Sequence, residues 1–115
     1  MKPRYERECI KLGEMANEAL NLPKNVDKPN FENLPIIIIF ELLQDEIKEL
    51  DNEIKEKIGN YICTKIRKGI KTITECDIHE INFKRAKEEL SDCAAVLTGL
   101  LAWVNKQEEI QHGSP

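Results

Sequence analysis

One long helical stripe constrains this chain more than any other feature. Phe83, Ala86, Leu90, Cys93, Leu97, Leu101 and Val104 recur at steps of three and four. That spacing lines one face of an α-helix and cannot be held by a strand, whose faces alternate every residue. Asp77-Ile78-His79-Glu80 has the form of a capping box, with Asp in place of the usual Ser or Thr, so the predicted helix runs from there to about Gln107. Tyr5, Cys9, Leu12, Ala16 and Ala19 predict a first helix over roughly Arg4 to Leu20. Between them, Leu43, Ile47, Leu50, Ile54 and Ile58 predict a second from about Pro35 to Ile58. The four isoleucines Ile36 to Ile39 would alone suit a strand, but Pro35 and the pattern that follows them decide for helix.

The remaining residues divide into connections. Asn21 to Asn33, with Pro23 and Pro29, reads as a loop. Gly59-Asn60 reads as a helix stop, although Ile54, Ile58, Ile62, Ile66 and Ile70 also permit a helix continuing to Gly69. Residues 59–77 are an insert carrying Lys65, Arg67, Lys68 and Lys71, open to three readings: a helical turn, a hairpin around Lys68-Gly69, or a flap. The expectation is one all-α domain over residues 1–107, an antiparallel helical bundle, with a flexible tail over 108–115. Ala94, Ala95, Thr98, Gly99 and Ala102, together with Leu100 and Trp103, make the third helix apolar on more than one side. Three helices in 115 residues do not cover that much apolar surface. Completion by oligomerisation, as a homodimer or homotetramer, is expected.

A net charge of -4 argues against a general nucleic-acid binder. The apolar run Ile36 to Leu43 is too short to span a bilayer and no signal-like stretch leads the chain, so a cytoplasmic protein with no membrane role is expected. Four cysteines without a CxxC pair are read as reduced thiols, with Cys9 and Cys93 on the apolar stripes. Cys63, Cys76 and His79 have zinc-like spacing but lack a fourth ligand.

Glu41, Asp45, Glu49 and Glu53 form a column of like charge at every fourth residue, a spacing that destabilises a helix by roughly 0.2 to 0.5 kcal/mol per pair. Within and beside it stand two i, i+3 carboxylate pairs, Glu46 with Glu49 and Glu89 with Asp92. Hard divalent cations such as magnesium take oxygen ligands converging from different elements. Nine residues separate Glu49 from Ile58 and eleven separate Ile78 from Glu89, which puts both pairs ~14 to 17 Å from the hairpin's end. That match requires a helix break near Gly59 or a folded-back insert. The competing reading is an ordinary solvated surface in which Lys84 pairs with Glu88 and Arg85 with Glu89.

With Glu46-Ile47-Lys48-Glu49 on one predicted helix and Glu89-Leu90-Ser91-Asp92 on a later one, the chain resembles the all-alpha nucleoside triphosphate pyrophosphohydrolases, the MazG-like superfamily, which carry an ExxE and then an ExxD. FELLQDEIKEL and KEELSDCAAVLTGLLAWV extend the likeness from about Leu34 to Val104. Asp45 stands where the family often has Glu, and the gap from Glu49 to Glu89 is longer than in compact members. The resemblance implies hydrolysis of a (deoxy)nucleoside triphosphate to the monophosphate and pyrophosphate. It implies Glu46, Glu49, Glu89 and Asp92 as catalytic ligands of magnesium, with manganese as a substitute. Asp45, Lys84, Arg85, Lys87 and the insert's Lys68 are candidates for substrate contacts, and Phe31 or Trp103 for stacking on a base. A non-catalytic helical interaction module and a nucleotide sensor that does not turn its ligand over are the alternatives.

Overall fold

A computed structural model of the chain describes residues 4–25, 27–57, 61–67, 70–76 and 81–112. Three α-helices carry the fold: α1 (Glu6–Leu20), α2 (Ile36–Ile54) and α3 (Phe83–His112). α1 ends where Asn21 turns back on it, its backbone N–H and side-chain amide both donating to the Asn17 carbonyl at 3.2 and 2.7 Å. Two 3-10 turns follow, Pro23–Asn25 and Phe31–Asn33. Pro35 then opens α2, accepting at its carbonyl from the N–H groups of Ile38 and Ile39. The third helix starts later than the capping box suggests. Asp77 to Glu80 lie outside the described residues, Ile81 and Asn82 are not helical, and Asn82 takes the first turn, its Oδ1 accepting from the Arg85 N–H at 3.2 Å. The same helix runs past Gln107 to His112, because Glu108, Glu109 and Gln111 are good helix formers and no breaker precedes Gly113.

α3 is the spine. Cys93, Ala94, Ala95 and Val96 are all buried, and four successive residues at about 100° each sweep most of a helix's circumference. α1 and α2 pack against it, and so does the Phe31–Asn33 turn. Small side chains make the approach possible. A Cβ on Gly99 would stand 2.7 Å from that of Phe31 and overlap its ring, so the turn's aromatic residue seats where α3 has no side chain. Lys106 Nζ donates to Asn33 Oδ1 at 2.8 Å and holds the same turn.

The inward faces differ from the apolar stripes in the sequence. On α2 the fully buried residue is Ile39, the half-buried line continues through Leu43, Glu46 and Leu50, and Ile47 is 51% exposed. On α3 the buried line uses Ala86, Cys93 and Gly99, while Leu97 and Leu101 are 50% and 58% exposed. α3 therefore turns small residues inward and Leu97 and Leu101 outward, while α2 keeps Ile39, Leu43 and Leu50 on its inward line but places Glu46 among them and leaves Ile47 outside. α1 buries only Ala16 and Ala19, leaving Tyr5, Leu12 and Cys9 exposed.

α2 stops at Ile54 and one 3-10 turn, Lys55–Lys57, follows it, so the continuous helix to Gly69 is not formed. Instead β1 (Tyr61–Arg67) pairs antiparallel with β2 (Ile70–Cys76), from Tyr61 opposite Cys76 to Arg67 opposite Ile70, with irregularities around Cys63. The β-branched Ile62, Thr64, Ile66, Ile70, Thr72, Ile73 and Thr74 favour strand over a helix of the same period-four pattern. The all-α expectation thus holds for the packed helices, and the insert adds a two-stranded hairpin. The Gly59-Asn60 stop, Lys68-Gly69, His79 and the side chains of the insert's cysteines and basic residues lie outside what is described. No described helix is long and apolar enough to cross a membrane.

Candidate functional site

The register between α2 and α3 follows from which residues meet. Arg85 Nε lies 3.5 Å from Glu53 Oε1, and Glu49 meets Glu89, four residues back on α2 and four forward on α3. That is an antiparallel pair. Glu49 stands five residues before the end of α2 and Glu89 six after the start of α3, about 7.5 and 9 Å along their axes. Each helix is shorter at the hairpin end than the sequence suggests, by four and five residues, so the match between them survives.

Glu46, Glu49, Glu89 and Asp92 converge there, with one carboxylate oxygen of each within 4.8 Å of the others. Glu46, Glu89 and Asp92 are half-buried and Glu49 is exposed, giving a cluster with one open side. Burial first, and then repulsion from Glu49, pushes the Glu46 carboxyl up to about 7, with Asp92 and Glu89 adding to the effect. The same two causes raise Glu89. Asp92 is raised by burial, against the pull of the Lys24 ammonium. Burial and the neighbouring acids also raise the Cys93 thiol, which leaves it a core residue with little thiolate character. Glu46 Oε2 and Glu89 Oε2 are buried with no hydrogen-bond partner among the described residues. Each of these two carboxyls also shares a hydrogen bond with Glu49. A buried oxygen left unpaired is costly, and four clustered carboxylates are a donor set that could hold a hard divalent cation.

The acid column is resolved piece by piece. Glu41 and Asp45 are exposed, Glu49 joins the cluster, and Glu53 is paired with Arg85. Arg85 therefore serves α2 and not Glu89, contrary to the local pairing the sequence offers. Asp45 stands outside the cluster. Lys84 and Lys87 line a cleft that reaches Asp92. Trp103 is half-buried on α3 eleven residues beyond Asp92, ~16 Å along the axis, and Phe31 is packed on Gly99. Lys68 lies outside the described residues. Lys11 and Lys24, which share the cleft with Lys84, Lys87 and Asp92, give no periodic or motif signal.

No protein-family model matches the chain, and neither a curated protein nor a solved structure is significantly similar to it.

Proposed function

We propose that the protein hydrolyses a nucleoside triphosphate, with a deoxynucleotide as the expected substrate, to the monophosphate and pyrophosphate in a magnesium-dependent reaction. The observation that carries this reading is the choice of inward side chain on α2. Glu46 takes a half-buried position on the inward line while the adjacent Ile47 is left outside, and Glu46 Oε2 and Glu89 Oε2 are buried without a hydrogen-bond partner among the described residues. A purely structural helix would gain by the reverse arrangement. The ExxE and ExxD pairs that carry the resemblance to MazG-like pyrophosphohydrolases are the same four residues.

Glu46, Glu49, Glu89 and Asp92 would hold magnesium, or manganese in its place. Held there, the ion would supply charge neutralisation for the triphosphate and Lewis-acid activation for a water. The chain's own part is to orient and deprotonate. Water's oxygen forms a new bond to phosphorus and the α–β phosphoanhydride bond breaks, with pyrophosphate as one product and the monophosphate as the other. A carboxylate of the cluster accepts a proton from that water. The exposed Glu49 gives the reacting groups access, and the burial of Glu46 and Glu89 limits bulk water on the protein side. Lys84 and Lys87 stand on the approach to Asp92.

The exposed aliphatic faces favour a homodimer or homotetramer. Leu90, Leu97, Leu101 and Val104 repeat at helical spacing along α3 and are 39% to 58% exposed. A second copy presenting the same face would cover them.

The direct test is a panel of eight common ribo- and deoxynucleoside triphosphates with magnesium, with pyrophosphate and monophosphate measured. Magnesium-dependent release that is lost in Glu49→Gln is the expected result. No release from any nucleotide overturns the hydrolase reading and favours a sensor or an interaction module.

A further inference from the structure

Beside the carboxylate cluster, and sharing Asp92 with it, a cleft of about 630 Å³ opens between α1 and the first turns of α3. Met15 and Leu22 give it apolar lining. Four lysines surround it: Lys11 from α1, Lys24 from the Pro23–Asn25 turn, and Lys84 and Lys87 from α3. In a chain of net charge -4, that convergence is a local reversal of sign.

Three separate elements supply these lysines, so no helical period brings them together. Lys24 is placed by the turn it sits in: Asn25 donates from its side chain to the Ala19 carbonyl at 2.7 Å and from its backbone to the Leu22 carbonyl at 2.8 Å. Its ammonium is close enough to Asp92 for its charge to act on that carboxylate. Lys84 and Lys87 stand in the first turns of a thirty-residue helix, whose dipole adds positive potential at the same end. Glu18 and Glu88 also line the cleft and temper this surplus, so that a diffuse anion gains little there. A compact polyanion that reaches several ammonium groups at once gains most.

We propose that this cleft receives the polyphosphate tail of the substrate, with Asp92 as the boundary between the lysines and the carboxylate cluster. The inference rests on the pyrophosphohydrolase reading and assigns Lys11, Lys24, Lys84 and Lys87 as tail-binding residues. The cleavable anhydride then lies at the Asp92 end, where the cluster can reach it, and the released pyrophosphate leaves from the lysine side.

The test is calorimetric titration of the full chain with inorganic pyrophosphate and magnesium. It compares the unsubstituted protein, the double variant Lys24→Ala with Lys87→Ala, and the charge-preserving pair Lys24→Arg with Lys87→Arg. All four lysines are exposed, so the fold should tolerate these changes, and circular dichroism checks that it does. The alanine pair is expected to weaken pyrophosphate binding at least tenfold and to raise KM for the triphosphate more than it lowers kcat. Manganese binding in the absence of phosphate should not weaken, because loss of the Lys24 ammonium beside Asp92 removes a repulsion on the cation, and the arginine pair should recover most of the pyrophosphate loss. Pyrophosphate affinity unchanged in the alanine pair, with magnesium-dependent hydrolysis retained, would overturn this assignment and leave the hydrolase reading standing. An unsubstituted protein that neither binds pyrophosphate nor releases it from any triphosphate overturns both.

Discussion

Glu46 and Ile47 are neighbours on α2, and the half-buried one is the acid. The placement has a cost that is readable in pH. The native Glu46 carboxyl keeps its proton up to about 7, whereas the unfolded chain releases it near 4.5. Between those values the native state binds more protons than the unfolded one, so this group makes the metal-free protein less stable as pH rises through the window and contributes no slope outside it. A divalent cation needs the ionised form and should reverse the trend. Calorimetric melting with and without manganese is expected to show a small increase in Tm at pH 5 and a larger one at pH 8. Glu46→Gln should melt higher than the parent in metal-free buffer at pH 8, by about 1 kcal/mol of stability, and lose most of the manganese effect. A metal-free Glu46→Gln that melts lower would mean that the acid is satisfied within the protein and needs no ion.

Helix termini and helix faces account for what the sequence did and did not disclose. The pairing of the ExxE with the ExxD was legible, because it depends only on equal distances from a common turn, and both helices shorten by nearly the same amount. The inward face was not. Ile47 lies only 100° round the helix from Glu46, so an apolar count cannot tell which of them faces α3 once a partner-facing surface also needs aliphatic residues. Asp77 and Glu80 have the capping spacing, but α3 begins at Phe83 and the residue that accepts from its first turn is Asn82. The insert had a period-four isoleucine pattern that fits a helix, and its β-branched content prevailed. The lysine cleft draws on a helix, a turn and a second helix, and no local pattern records that meeting. Gly99 is the element-scale contact most open to attack. Gly99→Ala would drive a Cβ into the Phe31 ring, and an urea titration is expected to show a loss of about 1 to 3 kcal/mol. A loss below ~0.5 kcal/mol would mean that the turn gives way at little cost.

At the scale of the whole molecule, the described helices leave a line of large aliphatic side chains facing outward. That line runs along α3 through Leu97 and Leu101, 50% and 58% exposed. Light scattering coupled to size exclusion is expected to report a dimer or tetramer, and Leu97→Glu with Leu101→Glu to shift it toward the monomer. A monomeric parent at tens of micromolar would contradict the assembly. The proposed role of the four clustered acids is magnesium-dependent cleavage between the α and β phosphates. Phosphorus NMR of a deoxynucleoside triphosphate incubated with the protein and magnesium tests it most directly. Monophosphate and pyrophosphate are expected to rise in equal amounts, and neither to rise with Glu49→Gln. A diphosphate with orthophosphate, or an unchanged triphosphate while the cluster holds its cation, would contradict it.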